Sequence, residues 1–493
     1  MFCQLETLRH CFPPNLRQFL NDLPESLDET YERILKGINK AQKEDARRLL
    51  QCLTVASRPL RVEELAELLA FDFHATSDRG IPAFRADWRW NDEEQAVLST
   101  CSSLIAIVRD GDSRVVQFSH FSVKEYLTSR RLAESGVDVS RFYVDPNAAH
   151  TILAQACLGT LLRLDEHTGN GGSEGFPLVE YAAQHWVEHA QFEDVSLRVQ
   201  DGMDDLFDSS KPYFSAWLRV HDIDERWKTC WISNEDCVGS PLYYASFCGF
   251  HDLAGRLILK HPEHVNAFGG RILAPLPAAL SKRHFRVADL LRKHGAVVDV
   301  RDKYAYTPLH VASISGSVDT MRWLLNHGAN VDPQTYSGRT PLHMAACASE
   351  LGAAQVLLEH KADINLQDAS DYTPLHDVLD GPRPEKDLEG VEMARRLLEH
   401  GADPNIHLPQ GSTLLHEVSS RGSLDVVRLL LSFGANIDEK DEAGETPFLV
   451  ASSNGHVDIV KFLLDQGAVW LIGNRPEERE RRARRDRRRR QTR

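Results

Sequence analysis

One tetrapeptide recurs through the second half of the chain and limits what that half can fold into. Thr-Pro-Leu-His begins at residues 307, 340 and 373, at intervals of 33 residues. Variants of it begin at residues 240, 274, 413 and 446. A second motif, Leu-Leu followed by Gly-Ala or a close variant, repeats at residues 324–332, 357–365, 397–405 and 430–438. A fixed period of this length is typical of stacked structural repeats, and it predicts seven units over residues 234–472.

Each unit is predicted to be a pair of helices that is unstable alone. The Thr of the tetrapeptide can cap a helix, and Pro at the first helical position sacrifices no hydrogen bond. The second helix ends at a glycine such as Gly328 or Gly434, where a left-handed cap needs a residue without Cβ. One such pair cannot bury its apolar face, so neighbouring units must stack.

The two motifs together resemble the ankyrin repeat, over roughly half of the chain. The resemblance implies antiparallel helix pairs, projecting hairpin fingers and a concave groove that binds protein partners. Lys361 stands where the family has Gly, which strains the cap. Unit five has a seven-residue insertion at 380–386, expected to lengthen the loop between its helices. Units one and two are irregular, as expected of copies beside another domain.

The histidines of the tetrapeptides raise the question of a metal site. His310, His343, His376 and His416 occur once per unit, so they should lie about 10 Å apart along the stack. Ligands of a zinc ion lie about 2 Å from it, so these side chains cannot converge. We expect each histidine to be buried and to bridge backbone groups of its own turn.

Residues 23–135 combine helix patterns with one hairpin pattern. Ser26 begins a capping box before a helix with Leu27, Tyr31 and Leu35 inward. Apolar stretches around Asp110–Ser113 predict a hairpin. The remaining predictions are helices at 43–57, 62–70, 92–101 and 121–129, and a polar loop at 74–91. Helices followed by a hairpin predict a winged helix, and residues 136–233 are predicted to be helical.

Charge argues against DNA recognition by this winged helix. The helix before the hairpin begins with Asp92, Glu93 and Glu94, which repel phosphate. Residues 475–493 hold 11 Arg and 4 acidic residues, a net charge of +7. Since the whole chain has a net charge of −15, the rest of the chain carries −15 − 7 = −22. Any affinity for nucleic acid would have to come from the Arg-rich tail (473–493). The alternative hypothesis is a nuclear regulator that contacts nucleic acid through this tail and the winged helix.

The first half also carries a family resemblance. Its similar segments are 23–35, 58–71, 101–104, 120–127 and 176–190. They resemble the region between the NACHT NTPase and the ankyrin array of fungal NACHT–ankyrin proteins, which are NLR-like signalling ATPases. The resemblance implies that the winged helix holds an off state and that the repeats bind the trigger. No GxxxxGK[ST] motif occurs, so nucleotide hydrolysis is not implied. Residues 1–22 are expected to be a helical remnant, and Met1 falls about where the family's NTPase module would end.

Two catalytic patterns are interpreted as coincidences. Gly-Gly-Ser-Glu-Gly around Ser173 lies in a polar stretch, whereas a nucleophile elbow needs a strand before it and a helix after it. His185, Glu188 and His189 match H-x-x-E-H, but no third ligand can be identified. The sequence thus predicts no catalytic residue, cofactor or metal. Nine cysteines without a CxxC pair predict an intracellular protein, cytoplasmic or nuclear, and no apolar run predicts a membrane span.

These observations predict a mainly α protein: an ankyrin-repeat α-solenoid preceded by a winged helix (23–135) and a helical region (136–233). The predicted function is a non-catalytic protein-interaction scaffold or sensor whose partner is a protein. Exposed aromatic and Arg side chains are the usual anchors of such surfaces. The candidates for partner contact are Tyr304, Tyr306, Tyr336, Arg339 and Tyr372 on the fingers, and Met344, Asp377, Glu417 and Arg421 on the first helices.

Overall fold

The structure is a computed structural model that describes residues 26–76, 80–101, 103–164, 175–224, 238–379, 388–408 and 411–469. The predicted N-terminal remnant, the insertion at 380–386 and the Arg-rich tail lie outside these ranges. The chain divides into two compact units, Met1–Ala296 and Val297–Arg493. Repeat units one and two belong to the first compact unit and repeat units three to seven to the second.

The predicted winged helix is present in the first compact unit. Its helices are Leu27–Gly37, Lys43–Val55, Val62–Leu68, Glu93–Cys101, Phe121–Leu127, Arg130–Ala133 and Val137–Ser140. The predicted hairpin consists of strands Ile105–Asp110 and Ser113–Phe118, and Leu60–Arg61 pairs with its second strand to complete an antiparallel sheet. In the first helix Tyr31 and Leu35 are buried, but Leu27 is 52% exposed, which corrects its predicted inward position.

The predicted polar loop at 74–91 instead contains a second sheet. Strand Phe71–Thr76 pairs antiparallel with Pro82–Phe84. Phe71 and Ile81 anchor this ribbon in the core, against the helix Pro146–Leu161, where a Cβ on Gly159 would lie 2.8 Å from Cε1 of Phe71. The polar residues between the strands hid this apolar pair from sequence inspection.

A helical region follows the winged helix, as predicted. Its helices are Pro146–Leu161, Val179–Ala190, Val195–Arg198, Gln200–Leu206 and Tyr213–Val220. Trp186 and Trp217 form its centre with their ring centroids 5.4 Å apart, and Trp217 donates its indole N–H to the carbonyl of Ala183. Phe250 stacks on Trp186 and Tyr244 packs edge-on against Trp217. Since those two residues belong to repeat unit one, the helical region and unit one share a core.

Each of the seven predicted units contains a pair of helices. The first compact unit holds Pro241–Phe247 with His251–Lys260, and Pro275–Ser281 with Phe285–Lys293. The second holds Pro308–Ile314 with Val318–Asn326, Pro341–Cys347 with Leu351–Glu359, Pro374–Leu379 with Leu388–Glu399, Leu414–Arg421 with Leu424–Ser432, and Pro447–Ser453 with Val457–Asp465. The insertion of unit five falls between its two helices, as predicted.

Side-chain oxygens link successive units at the ends of the second helices. Asp299 accepts the backbone N–H of Asn330, 31 residues further on, and Asp332 accepts that of Asp363 in the same way. Asn405 does the same for Asn436 and also donates its amide to the carbonyl of Gly434. These hydrogen bonds explain why Asp or Asn recurs three residues after the Ala of the repeated Gly-Ala pairs. Lys361 adopts φ +64°, the left-handed conformation for which its neighbours use Gly.

Candidate protein-binding surface

The tetrapeptide turns are built around buried histidines. The Nδ1 atom of His310 accepts the backbone N–H of Thr307 at 3.1 Å and lies 2.9 Å from the Thr307 hydroxyl. Its Nε2 lies 3.1 Å from the carbonyl oxygen of Arg339, one unit further on. Burial lowers the pKa of His310 to about 4, so the ring is neutral and donates from Nε2.

The same arrangement recurs along the second compact unit. Nε2 of His343 lies 3.0 Å from the carbonyl oxygen of Tyr372, and Nε2 of His416 lies 3.1 Å from that of Glu445. His376 bonds Thr373 through Nδ1 in the same way. The predicted contact with the backbone of the same turn is therefore confirmed for Nδ1, whereas Nε2 of His310, His343 and His416 reaches the next unit. For His310, His343 and His416 both ring nitrogens are engaged within the protein.

The fingers of units three and four present two exposed tyrosines. Tyr304 is 50% exposed and Tyr336 is 79% exposed. The backbone N–H of Tyr336 donates to the carbonyl of Tyr304 at 3.2 Å, so the two fingers are held side by side. Asp302 shapes the first finger, because its carboxylate accepts the backbone N–H groups of Tyr304 and Tyr306. These two predicted residues are both accessible, and their backbones are joined by a hydrogen bond.

Four charged candidates are instead engaged with one another or with backbone. Nη2 of Arg339 lies 2.5 Å from Oδ2 of Asp377, an ion pair between neighbouring units. Arg421 forms a looser pair with Glu417, 3.7 Å apart, and donates from Nη1 to the carbonyl of Leu379. A partner would have to compete with these contacts, which lowers the gain from binding there.

The remaining candidates are partly or fully buried. Tyr306 and Tyr372 are half-buried, with rings edge-on against His310 and His376. Met344 is only 4% exposed. It therefore belongs to the core of unit four and not to a contact surface, which corrects the prediction made for it. The short helix turns Met344 toward its neighbours, a detail that repeat register alone does not give.

One groove residue was missed by sequence reasoning. Cys347 is exposed at the end of the first helix of unit four. Its spacing from the buried His343 and Met344 gave no signal of this exposure, which comes from its place in the last turn of the helix.

The apparent catalytic patterns are used otherwise or lie outside the described residues. Nε2 of His189 lies 2.8 Å from the Tyr181 hydroxyl, and its Nδ1 lies 2.9 Å from Nδ1 of His150. Burial lowers the pKa of His189 to about 3, as expected of a neutral core imidazole. Nδ1 of His185 lies 3.3 Å from Oε2 of Glu188, and its ring centroid lies 4.8 Å from that of Tyr181, both in the same helix. Ser173 falls in the part of the chain that the structure does not describe.

The winged helix presents acidic groups where a DNA reader presents basic ones. Glu93 and Glu94 lie in the first turn of the helix before the hairpin. Arg114 of the hairpin pairs with Glu94 at 2.5 Å. The tip of the hairpin carries Asp110 and Asp112. This surface would repel a phosphate backbone.

Comparisons with known proteins agree with the two kinds of domain described above. Residues 276–368 and 387–472 match ankyrin repeats, and residues 31–138 match the winged-helix domain of GPI inositol-deacylase. The chain thus contains ankyrin repeats and a winged helix of that type. The described residues contain no helix long and apolar enough to cross a membrane.

Two individual proteins are similar to parts of the chain. "Azaphilone pigments biosynthesis cluster protein L" of Monascus ruber is 32% identical over 298 residues, 57% of this chain. The aligned part spans 61% of that relative's length. The solved ankyrin repeat domain of Bcl-3, of the IkappaB protein family, aligns with 45% of this chain and 98% of its own, with 30% identity and a TM-score of 0.41. The repeats support a scaffold for protein–protein interaction.

Proposed function

We propose that the chain is a non-catalytic scaffold or sensor in an NLR-like or other regulatory pathway, and that it binds a protein partner along the fingers of repeat units three and four. The observation that carries this proposal is the pair of exposed tyrosines, Tyr304 and Tyr336, on backbones joined by a hydrogen bond. Rigid, exposed aromatics contribute large contact area with little loss of side-chain entropy.

Charge around these tyrosines indicates the chemistry of the partner. Arg301 and Lys303 are exposed on the same fingers, and the Nζ of Lys303 lies 5.2 Å from the centre of the Tyr304 ring. The intervening carboxylate of Asp302 is buried and bonded to backbone, so it offsets these charges without offering itself to a partner. The proposed partner segment therefore carries carboxylates beside apolar side chains.

The absence of enzymatic activity is part of the proposal. Two histidines with a strongly lowered pKa, His189 and His310, are buried and form hydrogen bonds within the protein. Structural hydrogen-bond networks also perturb pKa values, so these shifts do not by themselves indicate catalysis. The Monascus relative is named for a biosynthesis cluster and not for a reaction. We expect no hydrolase activity that depends on Ser173 and no zinc-dependent activity that depends on His185.

Partner capture from extract with the full chain tests the proposal. Replacing Tyr304 and Tyr336 by Ala should abolish recovery of a specific partner. Val457→Ala is the matched control. Val457 is an exposed apolar residue of the second compact unit, 57% exposed, but it lies on a second helix and not on a finger. Equal recovery of every partner by the double variant and the control would refute the finger surface.

A second function rests on the 11 arginines of the tail. Compact basic clusters can direct nuclear import or bind polyanions. Because the winged helix offers an acidic surface, nucleic-acid binding would have to come from the tail. Deletion of residues 475–493 should then remove both nuclear localisation and salt-sensitive DNA binding. Unchanged localisation and no DNA binding by the intact chain would eliminate this function.

A further inference from the structure

Repeat unit one departs from the others at the turn that ends its second helix. In later units this turn contains Gly-Ala or Lys-Ala with a left-handed first residue, as at Gly295 and Gly328. Unit one has His261-Pro-Glu-His264 at this point, and residues Pro262–Asn266 form a 3-10 helix. Because the later units stack without the His-Pro-Glu-His sequence, stacking alone does not require it in unit one.

The 3-10 turn brings three potential metal ligands together. His261 is the N-cap of this helix and His264 lies within it, and their rings stack with centroids 5.0 Å apart. Nδ1 of His261 lies 3.2 Å from Oε1 of Glu263. One donor atom from each of the three residues lies within 4.8 Å of the others. Among the described residues, this is the one group of three His, Cys, Asp or Glu side chains whose donor atoms lie that close together.

The geometry points to a binding site for a divalent cation of the zinc class at His261, Glu263 and His264. Ligands of tetrahedral zinc lie about 2.0–2.2 Å from the metal, which separates neighbouring ligands by about 3.4 Å. The His261–Glu263 pair already has that spacing. The widest pair must close by up to about 1.4 Å, and the two imidazoles, now stacked at 23°, must rotate so that each directs a nitrogen at the ion. Two imidazoles and one carboxylate suit zinc better than calcium or magnesium.

The three residues leave the fourth position of a tetrahedral ion open, and binding there would affect the segment that joins repeat units one and two. His261 is 43% exposed and Glu263 is 65% exposed, so an ion can enter from solvent. The turn continues directly into Asn266, whose amide donates to the carbonyl of Gly295 at the end of unit two. Chelation across the turn would therefore fix the segment that joins units one and two.

Zinc titration of the full chain, stripped of metal with a chelator, tests this site. The zinc affinity of this site should fall at least about tenfold in His264→Ala and in Glu263→Gln. At a zinc concentration that just saturates wild type, each variant should therefore bind one Zn²⁺ fewer. His251→Ala is the control, because His251 is an exposed histidine 2.9 Å from an Asp252 oxygen, outside the cluster. The control should keep the site.

Two further measurements guard against variants that fail to fold. Zn²⁺ should raise the thermal midpoint of wild type and His251→Ala but leave that of the cluster variants unchanged, since the ion binds only the folded turn. Co²⁺ should give visible absorption bands of tetrahedral coordination that both cluster variants lose. If His264→Ala is unfolded, Glu263→Gln decides. Equal zinc stoichiometry in wild type and the folded cluster variant would overturn the site.

Discussion

At the scale of single residues, the repeat histidines hold neighbouring units together. Each of His310, His343 and His416 caps its own helix through Nδ1 and donates through Nε2 to a carbonyl 29 residues further on. In unit seven Leu449 occupies the corresponding place. Sequence reasoning predicted the contact within the turn, because Thr and His are adjacent in the motif. It could not predict the second contact, since spacing does not reveal which carbonyl faces the ring.

Removal of one of these rings should be costly. His343→Ala leaves the buried N–H of Thr340 without its acceptor and removes one of the two hydrogen bonds to the carbonyl of Tyr372, which still accepts the N–H of Asp368. We expect a loss of about 2–3 kcal/mol in the free energy of unfolding, measured by urea denaturation. His400→Ala, an exposed ring bonded within its own helix, should change that free energy by less than about 0.5 kcal/mol. Similar losses in the two variants would contradict the cross-unit role.

Buried neutral histidines should make the protein sensitive to acid. The unfolded chain binds more protons than the folded chain between the ordinary pKa of His, about 6.5, and the folded pKa of His310, about 4. Stability should thus be complete above about pH 6.5 and fall as the pH drops toward 4. From pH 7 to 5 we expect His310 to contribute a loss of about 2 kcal/mol. His310→Gln should flatten this slope in urea titrations; an unchanged slope would count against a depressed pKa at this position.

At the scale of elements, apolar anchors mattered more than the polarity of a stretch. The predicted loop at 74–91 contains a strand pair because Phe71 and Ile81 reach the core. A chain that is mostly polar between two such anchors gives little periodicity to recognise. By contrast, the repeat helices and the wing hairpin were predictable, because capping residues and a tight turn mark their ends.

The fit of this ribbon against its helix makes a prediction about glycine. Gly159→Ala would place a methyl group 2.8 Å from the rigid ring of buried Phe71. Overpacking by about 1–3 kcal/mol should outweigh the helix preference of Ala, about 1 kcal/mol, and lower the thermal midpoint. In Gly255→Ala the nearest atom, Cδ2 of Leu290, lies 3.7 Å away, so this variant should be as stable as wild type or more stable. A stabilised Gly159→Ala protein would show that the ribbon is packed less closely.

At the scale of the whole molecule, the repeat motif and the compact units do not coincide. The motif predicts a boundary near residue 233, whereas the first compact unit extends to Ala296. The reason lies in side chains such as Phe250 of unit one, which complete the aromatic core of the helical region. Motif spacing identifies units but gives no information on which neighbours share a core. The contact candidates divide for a similar reason: the exposure of Tyr304 and Tyr336 on the fingers followed from the motif, while the burial of Met344 on its first helix did not.

One hydroxyl links unit one to the helical region. Tyr243 takes the tetrapeptide position of the histidines, donates to the buried carboxylate of Asp224 at 2.9 Å and accepts the backbone N–H of Ile272. Tyr243→Phe should lower the free energy of unfolding by about 1–3 kcal/mol, measured by urea denaturation. Tyr336→Phe, at a 79% exposed position, should have no measurable effect. If Tyr243→Phe is equally harmless, the hydroxyl does not link these regions.

Amide hydrogen exchange of the full chain, with and without a captured partner, tests the central claim most directly. We predict that the partner slows exchange at the fingers of units three and four, residues 301–306 and 334–339. The second helices of the same units, Val318–Asn326 and Leu351–Glu359, should exchange at unchanged rates. Protection confined to those second helices, or to the first compact unit, would contradict recognition by the finger tyrosines.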